Sequence, residues 1–447
     1  MNPYILFFYQ IDRSSLPYVG GKGANLGEIT QAGFPVPGGF CVTTHAYKDF
    51  IATSSKMAIF FNELATISPA NINQLRELGD RIRIHLQQLP IPASVSDAII
   101  QAWSKQGTEY SYAIRSSATA EDLPNASFAG QQDTYLNIKG REELLQHVRK
   151  CWASLFTDRA IAYRARNGFD HREVHLSVVV QQMVIPDVSG IMFTADPVDG
   201  NRTVVSVDAS FGLGEAMVSG LVSADLYKVK DHTIISKKVS AKKIAIYSLP
   251  DGGTVTKELP LAQQEEQALT DQQIIELAAL GKRIEQYYGK PQDIEFCMTN
   301  SEFFVVQSRP ITTLYPLPDT PPRPLRVLLS FGHVQMATDA MKPLGLSVLR
   351  ILSPASIFKE AGGRIFIDIT DILHYKIARI VFPKLLMNAD EAMSRAVETI
   401  VKRPEFLAEH LSINTKFFAP IRRVVASIIK KAWINFVPVI QDLQYFR

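Results

Sequence analysis

Glu295, Gln307 and Arg309 are residues whose types and spacing could do chemistry. They stand in two stretches, Gln292-Asp293-Ile294-Glu295-Phe296 and Gln307-Ser308-Arg309-Pro310, in which apolar and polar residues alternate. Alternation of period two reads as β-strand, and Asn300-Ser301-Glu302 between them reads as a turn. In register, such a hairpin sets Glu295 opposite Gln307 on one face, with Arg309 two residues on and on that face too. A carboxylate and an amide carbonyl are hard oxygen donors, able to hold Mg²⁺ while leaving its remaining positions to phosphate oxygens; a guanidinium can brace the phosphate itself. An ordinary amphipathic hairpin with a polar outer face has the same pattern, so other groups must decide.

Three further residues bear on it. In Gly20-Gly21-Lys22-Gly23-Ala24-Asn25-Leu26-Gly27-Glu28, glycines permit close approach of backbone N–H groups to a phosphate and Lys22 adds a full charge at a helix start. The spacing is not that of a Walker A loop, no βαβ unit frames it as a dinucleotide fingerprint, and a glycine-rich turn capping a helix would look alike. Arg115 is expected to end a strand (Tyr112-Ala113-Ile114) and enter a small-residue loop, where it could clamp phosphates or simply face solvent. Gln181 follows a β-branched run, Val174 to Val180, where its amide could meet an adenine edge or satisfy a sheet edge.

The elements that must position these residues are mixed, so the fold class expected is α+β. Helices are expected over Gly23–Gln31, Ile72–Leu86, Arg141–Asn167 and residues 266–288, with strands at Gly190–Pro197 and Thr203–Asp208 and a turn at Phe211–Glu215. The segment from Ser111 to Ile138 is small and polar; it costs conformational entropy to order and is expected to move until a ligand fixes it. Leu314 to Pro324 holds five prolines in eleven residues and reads as a linker. The domains expected are 1–314, a linker at 315–325, and a mostly helical 326–447 whose one strand pattern is Arg364–Ile369.

Hydrophobic content of 46% and charged content of 20% fit a globular, soluble protein of two or three domains. The net charge of +3 divides unevenly: residues 326–447 carry 17 basic and 10 acidic residues, a net of +7, leaving −4 for the rest. Seven positive charges over an apolar segment make a weak case for nucleic acid. Cys41, Cys151 and Cys297 lie far apart without CxxC spacing, which argues against a disulfide framework or zinc site. The N-terminal Met1 to Phe8 lacks a basic n-region and reads as a strand, and no run reaches the eighteen or so apolar residues needed to span a bilayer. A cytoplasmic location is expected, with neither membrane nor nucleic acid as partner.

Taken in order, these segments resemble the ATP-binding domain of the pyruvate phosphate dikinase and phosphoenolpyruvate synthase superfamily, a variant ATP-grasp fold. The resemblance rests on Val19–Glu28, Ala113–Ser117 with Glu121-Asp122, Ser127–Thr134, Gly190–Pro197, Gly212–Glu215, Gln292–Phe296 and Gln307–Thr312. It implies that Lys22, Arg115 and Arg309 hold ATP phosphates, that Glu295 and Gln307 hold Mg²⁺, that Gln181 reads adenine, and that Gly130 and Thr134 belong to a loop over the phosphates. Ser330 to Gly345, with the sequence SFGHVQMATDAMKPLG, looks like the start of the helical antibiotic-binding domain of rifampicin phosphotransferases. That implies a large, hydrophobic, rifamycin-like acceptor, with His333, Gln335 and Met336 as pocket candidates. A Met-rich helical domain suits such a ligand, though a plain helical core would serve as well.

Enzymes of this superfamily cut ATP to AMP and inorganic phosphate and pass a phosphoryl group through a histidine on a swivelling domain, in a motif near Gly-Gly-x-x-Ser/Thr-His-x-Ala. No such motif occurs in these 447 residues; His45, in GGFCVTTHA, has the wrong glycine spacing. The expectation is the Mg-ATP-binding part of a dikinase, with no catalytic histidine of its own, a truncated second domain, and a histidine domain supplied by another chain if at all. A pyruvate-directed phosphoenolpyruvate synthase domain and a non-catalytic ATP-binding fragment are the alternatives.

Overall fold

The computed structural model describes residues 3–69, 71–119, 122–123, 126–127, 134–218, 220–321, 323–334, 339–352, 358–387 and 390–410. The chain divides between Leu314 and Tyr315 into two compact units, and both mix helix with sheet in an α+β manner.

The first unit is organised by two antiparallel sheets. One has five strands: β1 (Ile5–Phe7), β2 (Gly39–Val42), β3 (Tyr112–Ala118), β6 (Thr134–Ile138) and β7 (Leu176–Gln182), in the order β1-β2-β7-β3-β6. Between β3 and β6 in sequence, β4 (Asp122–Leu123) and β5 (Ala126–Ser127) pair only with each other. The other sheet has six strands: β8 (Val188–Phe193), β9 (Val205–Phe211), β10 (Asp225–Lys230), β11 (Thr233–Lys238), β14 (Gln292–Thr299) and β15 (Glu302–Pro310), in the order β11-β10-β9-β8-β14-β15. A separate hairpin joins β12 (Ile244–Ser248) to β13 (Thr254–Glu258).

Alternation along each strand decides which face is covered. Phe40, Val42, Tyr112, Ile114, Val178 and Val180 leave one face of the five-stranded sheet and are buried beneath helices α2 (Thr44–Ala52), α3 (Ser55–Thr66), α4 (Ile72–Gln88), α5 (Ala93–Gln106), α6 (Arg141–Ser154) and α7 (Asp158–Arg166). Phe50 stacks on Trp152 there, ring centroids 4.6 Å apart. Residues offset by one, including Cys41 and Val179, face the other way and share a core with the helix α1 (Leu16–Gln31) and the apolar side of the six-stranded sheet. On that sheet Met192, Val207, Tyr227, Ile294 and Phe296 are buried with Ile274, Leu277 and Ile284 of the helix Asp271–Tyr288. Each large apolar side chain fully buried contributes roughly 1.5–3 kcal/mol, so these registers are firmly specified. The residues at odd positions of β14, Asp293 and Glu295, are thereby turned to the opposite, polar face.

The structure departs from the sequence expectations in several places. Residues 141–167 form two helices, not one, because Thr157 starts α7 by accepting a hydrogen bond from the Ala160 amide at 3.3 Å. Strand β3 runs on to Ala118, so Arg115 lies mid-strand instead of opening a loop; Ser116, Ser117 and Ala118 are small but buried. Gln181 likewise lies within β7 rather than after it. In the second unit Arg364–Asp368 is the middle strand of a three-stranded antiparallel sheet, flanked by Leu328–Ser330 and Phe358–Ala361. Its helices include Lys376–Met387 and Glu391–Ile400, around a small core of Val327, Leu329, Ile369, Leu373, Val397 and Phe406. Among the described residues no helix is long and apolar enough to cross a membrane.

Candidate functional site

The hairpin of β14 and β15 sets Glu295 directly opposite Gln307 and Asp293 opposite Arg309. Between Glu295/Gln307 and the next pair, Phe296/Val305, the strand β15 holds one extra residue, Val306. A bulge of this kind bends the strand and frees a carbonyl from the ladder. That carbonyl is used: Arg115 of β3 donates Nη1–H to the Val306 oxygen at 2.8 Å and Nη2–H to Glu295 Oε2 at 2.7 Å. One guanidinium thus joins the two sheets. Its Nε–H is buried and has no partner among the described residues.

Arg115 is delivered by a tight junction between β3 and α1. Two residues along the same face of β3, Ser117 donates its hydroxyl to the Val19 carbonyl at 2.8 Å and accepts from the Gly23 amide at 3.2 Å. Gly20 kinks α1 with φ 69° and ψ 177°, a conformation open essentially to glycine alone, and a Cβ there would land on the Ser117 carbonyl oxygen. Lys22 follows immediately, half-buried, on a helix that packs against β3, β7 and β15. Of the glycines in the Lys22 segment, Gly20 thus serves close contact with the β3 backbone, while Gly23 makes room for Cys41 and Gly27 for Ile11.

Gln181 pairs with Ala113 of β3 and Gly39 of β2, so its side chain leaves the same face as that of Arg115. It is 2% exposed, and its Nε2 has no hydrogen-bond partner among the described residues. Thr134 opens β6 directly across from Arg115 and is exposed. Gly130 lies outside the described residues, as do Gln335 and Met336; His333 is in the short helix Phe331–Val334 and its side chain is not among those described.

Arg309 does not stand alone on the polar face. It donates Nε–H to Asp293 Oδ2 at 2.9 Å, and its Nη2 lies 2.9 Å from the same oxygen. Burial pushes the Asp293 carboxyl above the usual carboxylate range; Arg309 pulls it back, and the neighbouring Glu295 pushes it up again. Two strands over, Asp208 occupies the row of Glu295, with Ile191 between them. Burial raises its carboxyl too, with Asp196 adding to the effect. Cys297, next on that face of β14, is a buried thiol whose pKa burial raises to about 12, against the pull of Arg115.

Sequence reasoning missed Asp293, Asp208, Val306 and Asn137. Asp293 was open to detection, since it stands two residues before Glu295 in a strand and must share its face. Asp208 needed the pairing of β8 with β9 and β14. Val306 acts through its main chain and carries no side-chain signal. Asn137 sits in β6 with φ 58°, and its position depends on the β12–β13 hairpin, more than 100 residues away.

Glu295 and Gln307 are two oxygen-bearing side chains paired across the hairpin, and no group of three or more His, Cys, Asp or Glu side chains among the described residues could hold a metal by itself. Such a pair fits Mg²⁺ that keeps most of its positions for phosphate and water, rather than a cation caged by protein.

Comparison with known proteins bears on the family of the chain. Residues 16–320 match the family model described as "Pyruvate phosphate dikinase, AMP/ATP-binding domain". The chain is 49% identical over 408 residues to the rifampicin phosphotransferase of Bacillus subtilis (strain 168), covering 91% of this chain and 47% of that protein. It is 47% identical over 405 residues to the rifampicin phosphotransferase of Streptomyces sviceus, covering 90% and 46%. The phosphoenolpyruvate synthase of Pyrococcus furiosus is 42% identical over 358 residues, covering 70% of this chain and 44% of its own length. The chain thus spans slightly less than half the length of these relatives.

Proposed function

Because the chain belongs to the pyruvate phosphate dikinase AMP/ATP-binding domain family, we propose that its first unit binds Mg-ATP in the manner of an ATP-grasp domain, as the nucleotide-handling part of a dikinase-type phosphotransferase. The observation that carries this reading is the junction of Arg115 with Glu295 and Val306. It draws a cation-bearing sheet and an oxygen-bearing sheet onto one point, as a triphosphate with its metal requires.

In this reading Lys22, Arg115 and Arg309 hold the phosphates, and Glu295 with Gln307 would hold Mg²⁺. The bound metal supplies charge neutralisation on the phosphate oxygens. The rest is done by the chain. Arg115 keeps the Val306 carbonyl as a fixed acceptor, so part of its ordering is done before phosphate arrives. Glu295, released from the guanidinium, would be free to hold the metal, and the Arg309–Asp293 pair keeps a second guanidinium on the same face. Gln181 offers a sealed, unpartnered N–H to an adenine ring nitrogen. Thr134, exposed at the start of β6 across from Arg115, would stand beside the phosphates.

The acceptor we infer is a large hydrophobic compound of the rifamycin kind, and the domains follow as 1–314 for ATP, 315–325 as linker and 326–447 for acceptor. The alignments with rifampicin phosphotransferases cover about nine-tenths of the chain and those with phosphoenolpyruvate synthases 70%, which favours the antibiotic over pyruvate. Transfer would pass through a histidine that is none of the nine in these 447 residues. Titration calorimetry of the chain with Mg-ATP tests the nucleotide reading. Lys22→Ala is expected to weaken binding by about 10-fold and Glu295→Ala by about 100-fold, the losses usual for a charged phosphate contact and a metal ligand. Unchanged affinity in both variants overturns it.

A further inference from the structure

The chain after Gln181 enters a small apolar cluster separate from the two large cores. Met183 packs there with Leu136 of β6, with Leu213, Ala216 and Val222 from the segment after β9, and with Ile246 of β12. One residue fastens its parts together. Asn137, buried at 1% exposure, donates both amide hydrogens into the turn of the β12–β13 hairpin, to the Leu249 and Gly253 carbonyls at 2.7 Å each. Its own carbonyl accepts from the Gly253 amide at 3.1 Å, and its backbone N–H approaches Met183 Sδ at 3.0 Å. On the far side of the same hairpin the Ile246 carbonyl accepts from the Leu213 amide at 2.8 Å, fixing the Gly212 turn that leaves the six-stranded sheet. The hairpin is therefore a strap from one sheet to the other, and Asn137 is its buckle.

A left-handed φ of 58° at this residue is tolerated by asparagine and glycine far better than by other types. Only asparagine also supplies two N–H donors at that reach, so backbone and side chain select the same residue. The unpartnered Nε2 of Gln181 lies two residues before Met183, so, on the reading of Gln181 as the adenine contact, the strap stands at the base end of the nucleotide.

We propose that Asn137 is a positioning residue for the base of the nucleotide: by clasping the β12–β13 hairpin it holds Met183, Leu213 and Ile246 as an apolar wall beside Gln181. The inference rests on the ATP-binding reading above and adds to it a residue that touches neither phosphate nor metal.

The test compares two ligands on the full chain by calorimetry, Mg-ATP and Mg-tripolyphosphate, the second having phosphates without a base. Asn137→Gly keeps the left-handed backbone unstrained and removes the clasp. We expect it to weaken Mg-ATP at least about tenfold, the worth of two buried hydrogen bonds, while tripolyphosphate affinity stays within about twofold. Equal weakening of both ligands, or unaltered ATP affinity in a folded variant, overturns the proposal. Lys22→Ala, by contrast, should weaken both ligands; if the unaltered chain binds neither, the ATP reading itself falls. Hydrogen exchange on the unaltered chain needs no variant: Mg-ATP should slow exchange of the Leu213 and Gly253 amides and tripolyphosphate should not. Equal protection by the two ligands also overturns the proposal.

Discussion

The two sheets of the first unit share antiparallel pairing throughout, yet the faces that meet at Arg115 carry opposite chemistry. The five-stranded sheet, with α1, offers Lys22 and Arg115; the six-stranded sheet offers Glu295, Gln307 and Asp293, with Asp208 further along the same face. In the first sheet the main chain that carries the cations is fixed by backbone and hydroxyl contacts, through Gly20 and Ser117, which need no charge. In the second, burial raises the carboxyls of Asp293 and Asp208, and at Asp293 the Arg309 guanidinium offsets it in favour of the ionised form. The contrast teaches that the cationic side is rigid by packing, while the anionic side is completed by whatever positive charge lies across from it: a guanidinium in this state, a metal in the state we propose.

Breaking the rigid side should have the largest effect. Gly20→Ala places a side chain against the Ser117 carbonyl in a backbone conformation reserved for glycine, and should destabilise the protein by about 3 kcal/mol or more. Urea unfolding reads this directly. A loss under about 1 kcal/mol would mean that α1 and β3 part easily and that the cationic side is no firmer than the other.

A smaller effect tests the meeting point. A double-mutant cycle with Arg115→Met and Glu295→Gln should give a coupling of about 1–3 kcal/mol in unfolding free energy, because each partner is mostly shielded from water. Additive losses would show that the two sheets are not joined through this pair.

The smallest concerns Arg309, whose side chain is 41% exposed and whose ion pair is accordingly weakened by solvent. In Arg309→Met, Asp293 loses the group that offsets its burial, so its folded-state pKa rises further above the unfolded value. A carboxyl with a raised folded pKa costs stability only once it ionises: nothing below the unfolded pKa, then progressively more as pH rises through the folded one. The melting temperature of the variant should therefore match that of the unaltered protein near pH 4 and fall below it toward pH 7. A gap independent of pH would assign Arg309 a packing role alone.

How much of this was legible in the sequence follows the same division. The hairpin of Glu295 and Gln307 was readable because period-two alternation fixes which side chains share a face, whatever the rest of the fold does. Arg115 and Gln181 were recognisable as residues but not as strand residues. Ser116-Ser117-Ala118 has the composition of a loop, and what makes it a strand is the need for small side chains where Gly20 approaches. The three- and four-residue strands of the second unit are too short for periodicity to register. The strap was invisible, since Asn137 and Gly253 are brought together only by the folded chain.

Val306 bears on how such a site is inherited. Its side chain is irrelevant to the contact with Arg115, so any amino acid could stand there, and a search for invariant letters would pass over it. What descent must preserve is the number of residues separating Glu295 from Gln307. Deleting Val306 would mend the ladder with Glu295 still opposite Gln307 and Phe296 opposite Val305, and would take away the freed carbonyl that Arg115 binds.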